Sequence, residues 1–381
     1  MNVIYLQLLI DVSQYSTYLL SLTFMSFLQT FRRRVLAWYS RNSRELSWRG
    51  TRNPYEIWVS EIMLQQTTTA AVEGYYRRFL ERFPDAQTLA AADLAEVYRL
   101  WEGLGYYRRA AQLHKAAGVI VEKHGGVFPR SFAEVVALPG VGRYTAGAIL
   151  SIALDLRLPI LEANTIRLHS RLLGVRTDPA ETETNRRLWA FAEEILPTKN
   201  VGRFNQALMD LGSRVCLPKM PLCLSESGKN SCPVFDLCRC AELGLQRKIP
   251  VPKVKPNVES VTEIAVLVRK RGKILMMRYP DGVRWAGLWD FLRCSSDGPN
   301  ESVTKKLGEL TGRKITLSRQ IATHKHTVTR FKITLRFVEG KDCGTAGKPQ
   351  YAVRWVTPEE LDDLPLNSSG RKLANQMRNG K

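Results

Sequence analysis

The chain has 381 residues and 44% of them are hydrophobic, so it is long and apolar enough to fold into two or three domains rather than remain disordered. Its 56 Lys and Arg residues outnumber its 36 Asp and Glu residues and give a formal net charge of +20. An excess of this size favours a polyanionic partner such as a nucleic acid, although an ordinary basic surface would give the same composition.

The first 24 residues contain two apolar runs that polar residues interrupt, among them Asp11 and Gln14. Neither run reaches the length of a membrane span, and no basic segment precedes them as in a secretory signal. We therefore predict that residues 1–24 form a weakly ordered extension and that the protein has no membrane segment. We expect it to be cytoplasmic, and nucleoid-associated if bacterial. Met25, where a helical pattern begins, is an alternative natural start.

The N-terminal helices carry the first candidate for chemistry. A basic amphipathic helix is predicted over residues 27–40, and a second helix follows the Asn-Pro turn at 53–54. Helical spacing places Trp58, Glu61 and Gln65 on one face of the second helix, so that Glu61 is a carboxylate on a mostly apolar stripe. Burial there would raise the pKa of Glu61 and let it keep a proton near neutral pH, as a general acid must. The alternative is a solvated surface glutamate, which is the commoner arrangement.

A glycine-rich turn at 101–109 follows, with helices predicted on either side of it. The turn, WEGLGYYRR, combines two tyrosines with two arginines, a mixture that lets a ring such as Tyr106 insert into a base stack beside phosphate contacts. A tyrosine pair that packs two helices together is the alternative. The predicted helices of this region span residues 71–82, 93–100, 108–123 and 131–138.

The stretch from residue 138 to residue 167 combines a glycine turn with a second candidate acid. Gly140 and Gly142 form a tight turn whose backbone N–H groups open a helix predicted over 144–154, and such a turn suits a phosphate. The chain then reaches Glu162 beside Asn164, at the start of another helix. The sequence therefore predicts a phosphate site close to a catalytic carboxylate. A glycine turn that only joins two packed helices is the alternative.

Four cysteines cluster after two more predicted helices, at 183–196 and 203–215. Cys216, Cys223, Cys232 and Cys238 are separated by six, eight and five residues. Four thiolates at such positions can enclose a [4Fe–4S] cluster, and tetrahedral zinc is the main alternative. On spacing alone Cys240 could replace Cys238. We assign no role to the isolated Cys294 and Cys343.

A Pro- and Lys-rich linker leads from the helical region to a C-terminal region with strand-like periodicity. Two helices are predicted there, at 301–310 and 358–364. The predicted strands span residues 261–268, 273–277, 315–323, 327–337 and 352–356. The C-terminal region is therefore predicted to be an α+β domain.

Residues 27–381 resemble a MutY-type adenine DNA glycosylase of the helix-hairpin-helix glycosylase superfamily. The resemblance is carried by the cysteine set and by the segments WVSEIMLQQT (58–67), GLGYYRRA (103–110), LPGVGRYTAGAILS (138–151), ILEANTIR (160–167), FNQALMDLG (204–212) and WAGLWDF (285–291). It implies a mostly α N-terminal region at 25–243, built as a helix-hairpin-helix glycosylase core with a [4Fe–4S] subdomain. It also implies a linker at 244–260 and an α+β Nudix-like domain at 261–381 that recognises 8-oxoguanine.

The same resemblance implies a reaction and roles for individual residues. The enzyme would be a monomer that removes adenine mispaired with 8-oxoguanine or guanine in duplex DNA, after flipping the nucleotide out of the helix. Glu61 would protonate adenine N7, and Tyr144 and Asn164 would orient the chemistry. Glu162 stands where the family has an aspartate that stabilises the positive charge on the sugar.

The implied DNA contacts fall into four groups. Some residues line the adenine pocket, some enter the duplex, the glycine turn holds a phosphate, and one hydroxyl of the C-terminal domain approaches 8-oxoguanine. Gln65 is assigned to DNA because it shares the predicted face of Glu61. The full set comprises Trp48, Arg49, Gln65, Gln66, Tyr106, Gly140, Gly142, Gln206 and Thr329.

Departures from related families separate the remaining hypotheses. Tyr144 occupies the position of the lysine that forms a Schiff base in endonuclease III-type enzymes, so we expect no strong lyase activity. A Nudix hydrolase would need a cluster of acidic residues, and residues 299–312 offer only Glu301 and Glu309. The remaining alternative is a non-catalytic or altered-specificity iron–sulfur protein that binds DNA. The flanks of Thr329, Val328 and Arg330, differ from the Phe-Ser-His segment that the family often has there.

Overall fold

The computed structural model describes residues 14–225, 228–251, 257–296, 298–328 and 330–379. The predicted 8-oxoguanine contact Thr329 and the first 13 residues of the predicted extension lie outside them. The chain divides into two compact units, Met1–Leu80 with Val119–Val254 and Glu81–Gly118 with Lys255–Lys381. Within the described parts, no helix combines the length and the apolarity needed to cross a membrane.

Helices account for most of the chain up to residue 254, as predicted. The first helix extends further toward the N-terminus than predicted, and two short helices, α4 and α12, were not predicted. The helices are α1 (Gln14–Asn42), α2 (Pro54–Leu64), α3 (Thr69–Arg82), α4 (Ala86–Ala91), α5 (Leu94–Trp101), α6 (Arg108–His124), α7 (Phe132–Val136), α8 (Arg143–Leu154), α9 (Ala163–Leu173), α10 (Thr182–Glu194), α11 (Val201–Arg214) and α12 (Arg239–Glu242).

Side-chain caps fix where several of these helices begin. At α2, Pro54 stands at the first helical position and the Asn53 side chain accepts a hydrogen bond from Tyr55 N at 3.0 Å. At α7, Ser131 and Glu134 form a capping box. Each cap satisfies backbone N–H groups that the helix itself leaves unpaired, so the short polar residues between apolar runs determine the helix boundaries.

Helix α11 is the central element of the first unit. Its Phe204 and Leu208 pack with buried side chains of α1, α9 and α10. Two glycines let its backbone approach the neighbouring helices closely. A Cβ on Gly202 would lie 2.4 Å from Ser151 O in α8, and a Cβ on Gly212 would lie 2.8 Å from Asn164 O in α9. The candidate catalytic residues at the start of α9 are therefore in direct contact with the α11 backbone.

The C-terminal part of the second unit is a six-stranded mixed sheet with a helix on each face. The strands lie in the order β4-β5-β1-β3-β2-β6, with β1 and β5 parallel and the other described pairs antiparallel. Helix α13 (Asn300–Thr311) packs on one face and α14 (Ser368–Asn379) packs on the other. The strands are β1 (Glu259–Lys270), β2 (Lys273–Arg278), β3 (Trp289–Ser295), β4 (Arg313–Val328), β5 (Phe331–Thr345) and β6 (Ala352–Val356).

Three predictions for this sheet domain were wrong in detail. The helix predicted at 358–364 is a turn, since Pro365 disfavours a helical conformation for the residue before it. Strand β4 ends at Val328 and β5 begins at Phe331, whereas the strands were predicted over 315–323 and 327–337. Strand β3 and helix α14 were not predicted. In β3 the buried positions include Asp290 and Arg293, which break the apolar alternation expected of a strand.

Candidate active site

A cavity of about 340 Å³ in the first unit brings together the residues predicted to act on adenine. Its walls come from the segment before α2, from α2 itself, from the start of α8, from the start of α9 and from α11. The predicted residues that line it are Trp48, Arg49, Glu61, Tyr144, Glu162, Asn164 and Gln206. The cavity is of the size that encloses a small planar ligand.

Glu61 is the buried carboxyl group of this cavity. It is 6% exposed, and Tyr144 Oη donates a hydrogen bond to Glu61 Oε2 at 2.8 Å. Burial raises the pKa of Glu61 to about 7 because it disfavours the charged form, and the nearby Glu162 raises it too. The Tyr144 hydrogen bond and Arg49 oppose the shift. With this pKa, part of the Glu61 carboxyl groups would keep their proton near neutral pH, which is the state that a general acid requires.

Glu162 is held at the cavity by the first turn of α9. Its Oε2 accepts hydrogen bonds from Asn164 N at 2.8 Å and Asn164 Nδ2 at 3.1 Å, and its Oε1 accepts one from Thr165 N at 3.0 Å. Thr165 completes a capping box with the Glu162 backbone. Burial raises the pKa of Glu162, while the backbone hydrogen bonds of Asn164 and Thr165 oppose the rise. The bonds that cap the helix also fix the carboxyl group.

Asp210 on α11 holds Arg49 in place, although no role was predicted for it from the sequence. Its side chain has no exposed surface and accepts two hydrogen bonds from Arg49, at 2.5 and 2.8 Å. Arg44 donates to the same carboxylate through Nε at 3.0 Å. Burial alone would raise the pKa of Asp210, but the two arginines together lower it. The only signal in the sequence was an aspartate within the apolar run FNQALMDLG.

Helix α9 connects the cavity to the cysteine region through Arg167. Its Nη2 donates to Asn164 Oδ1 at 2.8 Å, and its Nε donates to Cys216 O at 2.7 Å. One turn further along, Arg171 Nη1 donates to Cys216 Sγ at 3.2 Å and to Leu217 O at 2.7 Å. Two buried arginines of α9 thus contact the first cysteine of the set.

The four predicted cysteine ligands line one small apolar cavity. Cys216, Cys223, Cys232 and Cys238 are among its walls, whereas Cys240 is fully buried and is not. Burial raises the pKa of Cys232 to about 12, and Cys216 and Cys223 raise it further. Four cysteine sulfurs around one cavity are a donor set that fits an iron–sulfur cluster or a tetrahedral zinc ion. Among the described residues, no three His, Cys, Asp or Glu side chains are arranged to hold a single metal ion.

The glycine turn before α8 ends at a helix N-terminus that no side chain caps. Gly140 has a φ of +78°, a left-handed conformation that favours glycine. Gly142 caps α8 without any side-chain hydrogen bond, and a Cβ on it would meet nothing within 4 Å. An uncapped helix N-terminus after a glycine turn is the arrangement that the predicted phosphate site would need.

Three predicted DNA contacts besides the two glycines also lie outside the cavity. Gln65 follows α2 directly as its C-cap, since the helix ends at Leu64. Gln66 is exposed with a φ of +58°. Tyr106, in the second unit, is 51% exposed with a φ of +49°. Left-handed conformations cost free energy for residues other than glycine and are concentrated at functional sites.

Both the helical region and the C-terminal sheet domain of the chain are similar to known proteins. Residues 59–194 match the family described as "HhH-GPD superfamily base excision DNA repair protein", and residues 264–376 match the NUDIX domain family. The chain is 42% identical to the adenine DNA glycosylase of Rattus norvegicus, over 90% of this chain and 77% of that protein. It is 32% identical to the adenine DNA glycosylase of Homo sapiens, over 90% of this chain and 73% of that protein. A solved thermostable thymine-DNA glycosylase is 27% identical, with a TM-score of 0.51 over 57% of this chain and 98% of that one.

Proposed function

The chain belongs to the adenine DNA glycosylase family, and from this premise we propose that it hydrolyses the N-glycosidic bond of adenine mispaired with 8-oxoguanine or guanine in duplex DNA. The observation that carries the proposal is the buried Glu61, with a pKa of about 7, on the wall of a cavity that can enclose a flipped base. Trp48, Arg49 and Gln206 of the same cavity are proposed to contact the adenine.

Glu61 is proposed to donate its proton to adenine N7. The bond between C1′ and N9 then breaks, adenine leaves as a neutral base, and the sugar is left with a positive charge. Water adds to C1′ and gives its proton to the Glu61 carboxylate, which restores the acid. Tyr144 donates to Glu61 and so fixes the direction in which the carboxyl group points.

Glu162 is proposed to stabilise the charge on the sugar. Its carboxyl group lines the cavity and is fixed by Asn164 and Thr165, so that no reorganisation is needed when the charge develops. Burial raises the pKa of Glu162, and the same hydrogen bonds oppose this rise because they stabilise the carboxylate. Tyr144 cannot form a Schiff base with the sugar, so the reaction ends at the abasic site.

Cys216, Cys223, Cys232 and Cys238 are proposed to hold a [4Fe–4S] cluster, which would stabilise the fold around the end of α9. Purified protein should then be brown and contain about four irons per chain. Stoichiometric zinc without iron, in protein prepared without oxygen, would contradict the assignment.

The sheet domain of the second unit is proposed to recognise 8-oxoguanine. Thr329, which lies in the sequence between the ends of β4 and β5, is the proposed contact. Thr329→Ala should then reduce the preference for 8-oxoguanine over guanine opposite adenine, while adenine excision from an A:G duplex stays close to that of the unchanged chain.

The test of the proposed function is single-turnover release of adenine from duplexes that differ only in the base opposite it. With enzyme in excess, adenine should be released when it lies opposite 8-oxoguanine or guanine and much more slowly when it lies opposite thymine. Heating in alkali should be needed to cleave the strand, because the enzyme leaves the abasic site intact. Binding to these duplexes without any base release would instead support a non-catalytic DNA-binding protein.

A further inference from the structure

A short turn in the second unit presents the exposed ring of Tyr106. This turn, which we call the wedge turn, comprises residues 102–107 and follows α5. Gly103, Gly105 and Tyr106 all have positive φ, at 101°, 71° and 49°. Such a backbone is strained at Tyr106 and persists only where the surroundings hold it.

Side chains of the two helices that flank the wedge turn, α5 and α6, hold its backbone in this conformation. Trp101 Nε1 donates to Gly105 O at 3.1 Å. Arg109 Nη2 donates to Leu104 O at 3.2 Å and to Gly105 O at 3.1 Å. The Arg109 guanidinium also lies 5.7 Å from the centre of the Tyr106 ring. These contacts fix the backbone of the wedge turn near its tip.

Both ends of the wedge turn are bound by residues far along the chain. At the first residue, Arg371 donates to both carboxylate oxygens of Glu102, from Nε at 2.5 Å and from Nη2 at 3.0 Å. At the last residue, Tyr107 Oη donates to Leu366 O at 3.0 Å. The Glu102 and Arg371 side chains are only 17% and 19% exposed, so water screens this pair weakly.

Arg371 is itself held in place. Its Nη1 donates to Leu361 O at 3.0 Å and its Nη2 donates to Leu364 O at 2.9 Å. Its position at the start of α14 therefore depends on the 361–366 segment, which packs in the sheet core through Leu361 and Leu366. The wedge turn is thus braced against the C-terminal sheet domain.

We propose that Arg371 and the Tyr107 hydroxyl are positioning residues that hold Tyr106 in the conformation in which it enters DNA. The inference rests on the proposed function, to which it adds the insertion of the Tyr106 ring into the duplex that the sequence predicts. Insertion must offset the cost of unstacking bases, and a ring that is already held loses less conformational freedom when it binds. The C-terminal domain would then contribute to mispair binding through protein contacts, separately from any contact with 8-oxoguanine.

The experiment uses the full chain and an A:G duplex that carries the fluorescent base 2-aminopurine beside the mispaired adenine. Stacking quenches this base, so its fluorescence rises when a ring separates it from its neighbour. The A:G duplex removes the 8-oxoguanine contact from the measurement. The variants are Tyr106→Ala, Tyr107→Phe, Arg371→Ala, Glu102→Gln and the Glu102→Gln/Arg371→Ala pair. Arg319→Ala is the matched control, since it removes an arginine that pairs with Glu339 on the sheet and contacts no residue of the wedge turn.

Tyr106→Ala should abolish the rise in fluorescence. Tyr107→Phe and Arg371→Ala should each reduce the rise in fluorescence by at least half. Each should also weaken binding to the mispair by about fivefold, because a Tyr106 ring that is not held beforehand loses more conformational freedom when it binds. The double variant should be no worse than Arg371→Ala, since both changes break the same ion pair. Arg319→Ala should keep the full fluorescence rise, and melting curves should show that every variant is folded.

The possible failures are distinguishable. If Tyr106→Ala keeps the fluorescence rise and the affinity, Tyr106 does not enter the duplex and that part of the proposed function is wrong. If Tyr106→Ala loses both but Tyr107→Phe and the folded Arg371→Ala keep them, Tyr106 is the wedge and the positioning role is overturned. Tyr107→Phe decides the case if Arg371→Ala does not fold, because it removes only one hydroxyl group.

Discussion

At the scale of single residues, the proposed chemistry depends on a proton that burial keeps on Glu61. Glu61 has a pKa of about 7 because α2 places its carboxyl group among apolar side chains, where the charged form is disfavoured. The general acid must be protonated to act. Its active fraction therefore falls about tenfold for each pH unit above the pKa.

We predict that the single-turnover rate is nearly constant below pH 6 and declines above pH 7 as Glu61 loses its proton. Glu61→Gln should abolish adenine release while mispair binding is kept, because the amide has the same shape and no acidic proton. The checks are rates at saturating enzyme across pH and affinity by anisotropy. A rate that rises through pH 7, or substantial release by the Gln variant, would contradict the role.

Glu162 makes hydrogen bonds that would suit a helix cap alone, so its catalytic role needs its own test. Loss of a cap costs about 1 kcal/mol of stability and leaves chemistry unchanged. If the carboxylate stabilises the sugar, Glu162→Gln should lose far more activity than Glu162→Asp, which restores the family's residue. The two melting temperatures should meanwhile stay similar.

Glu162→Gln should also change how the single-turnover rate depends on pH. Glu162 raises the pKa of Glu61 by its charge, so Glu162→Gln should move the decline in rate toward lower pH. Single-turnover rates across pH and melting curves of the same variants distinguish a catalytic role of Glu162 from a helix-capping role. Near-normal excision by the Gln variant would leave Glu162 as a cap only.

At the scale of elements, the close approach of α11 to α9 keeps Asn164 in place. A methyl group on Gly212 would lie 2.8 Å from Asn164 O, so one of the two helices would have to move. We predict that Gly212→Ala slows base release more than it weakens DNA binding and lowers stability by about 1–3 kcal/mol. Gly118→Ala on α6 is the control, because a Cβ there meets nothing within 4 Å. Equal rates for both variants would show that the contact does not position the site.

The helices could be predicted from the sequence more completely than the strands. Helix positions followed from apolar periodicity and caps, and Glu61, Tyr144, Glu162 and Asn164 came together as the resemblance implied. Strand β3 was missed because Arg293 and Asp290 lie at buried positions, where Arg293 donates to Glu263 at 2.6 Å and Asn367 donates to Asp290 at 2.6 Å. A buried polar residue whose partner lies on a distant segment cannot be distinguished in the sequence from a surface residue. Asp210 was not predicted for the same reason, since its partners are Arg44 and Arg49.

At the scale of the whole molecule, the net charge of +20 should dominate non-specific binding. If six or more phosphates are neutralised, the binding constant for a fully paired duplex should fall about a thousandfold or more between 50 and 200 mM salt. Anisotropy titrations at several salt concentrations check this. An affinity independent of salt would mean that the basic residues do not meet the DNA backbone.

The second unit is discontinuous in sequence, and this has a consequence for synthesis on the ribosome. Residues 81–118 emerge before the whole of 119–254, yet the Glu102 carboxylate and the Tyr107 hydroxyl bind partners in residues 361–371. At ordinary translation speeds the delay is on the order of 10 s or more. During that time the nascent segment must be protected from other chains. A premature stop before residue 255 would leave it permanently without these partners, in a product that quality-control proteases can recognise.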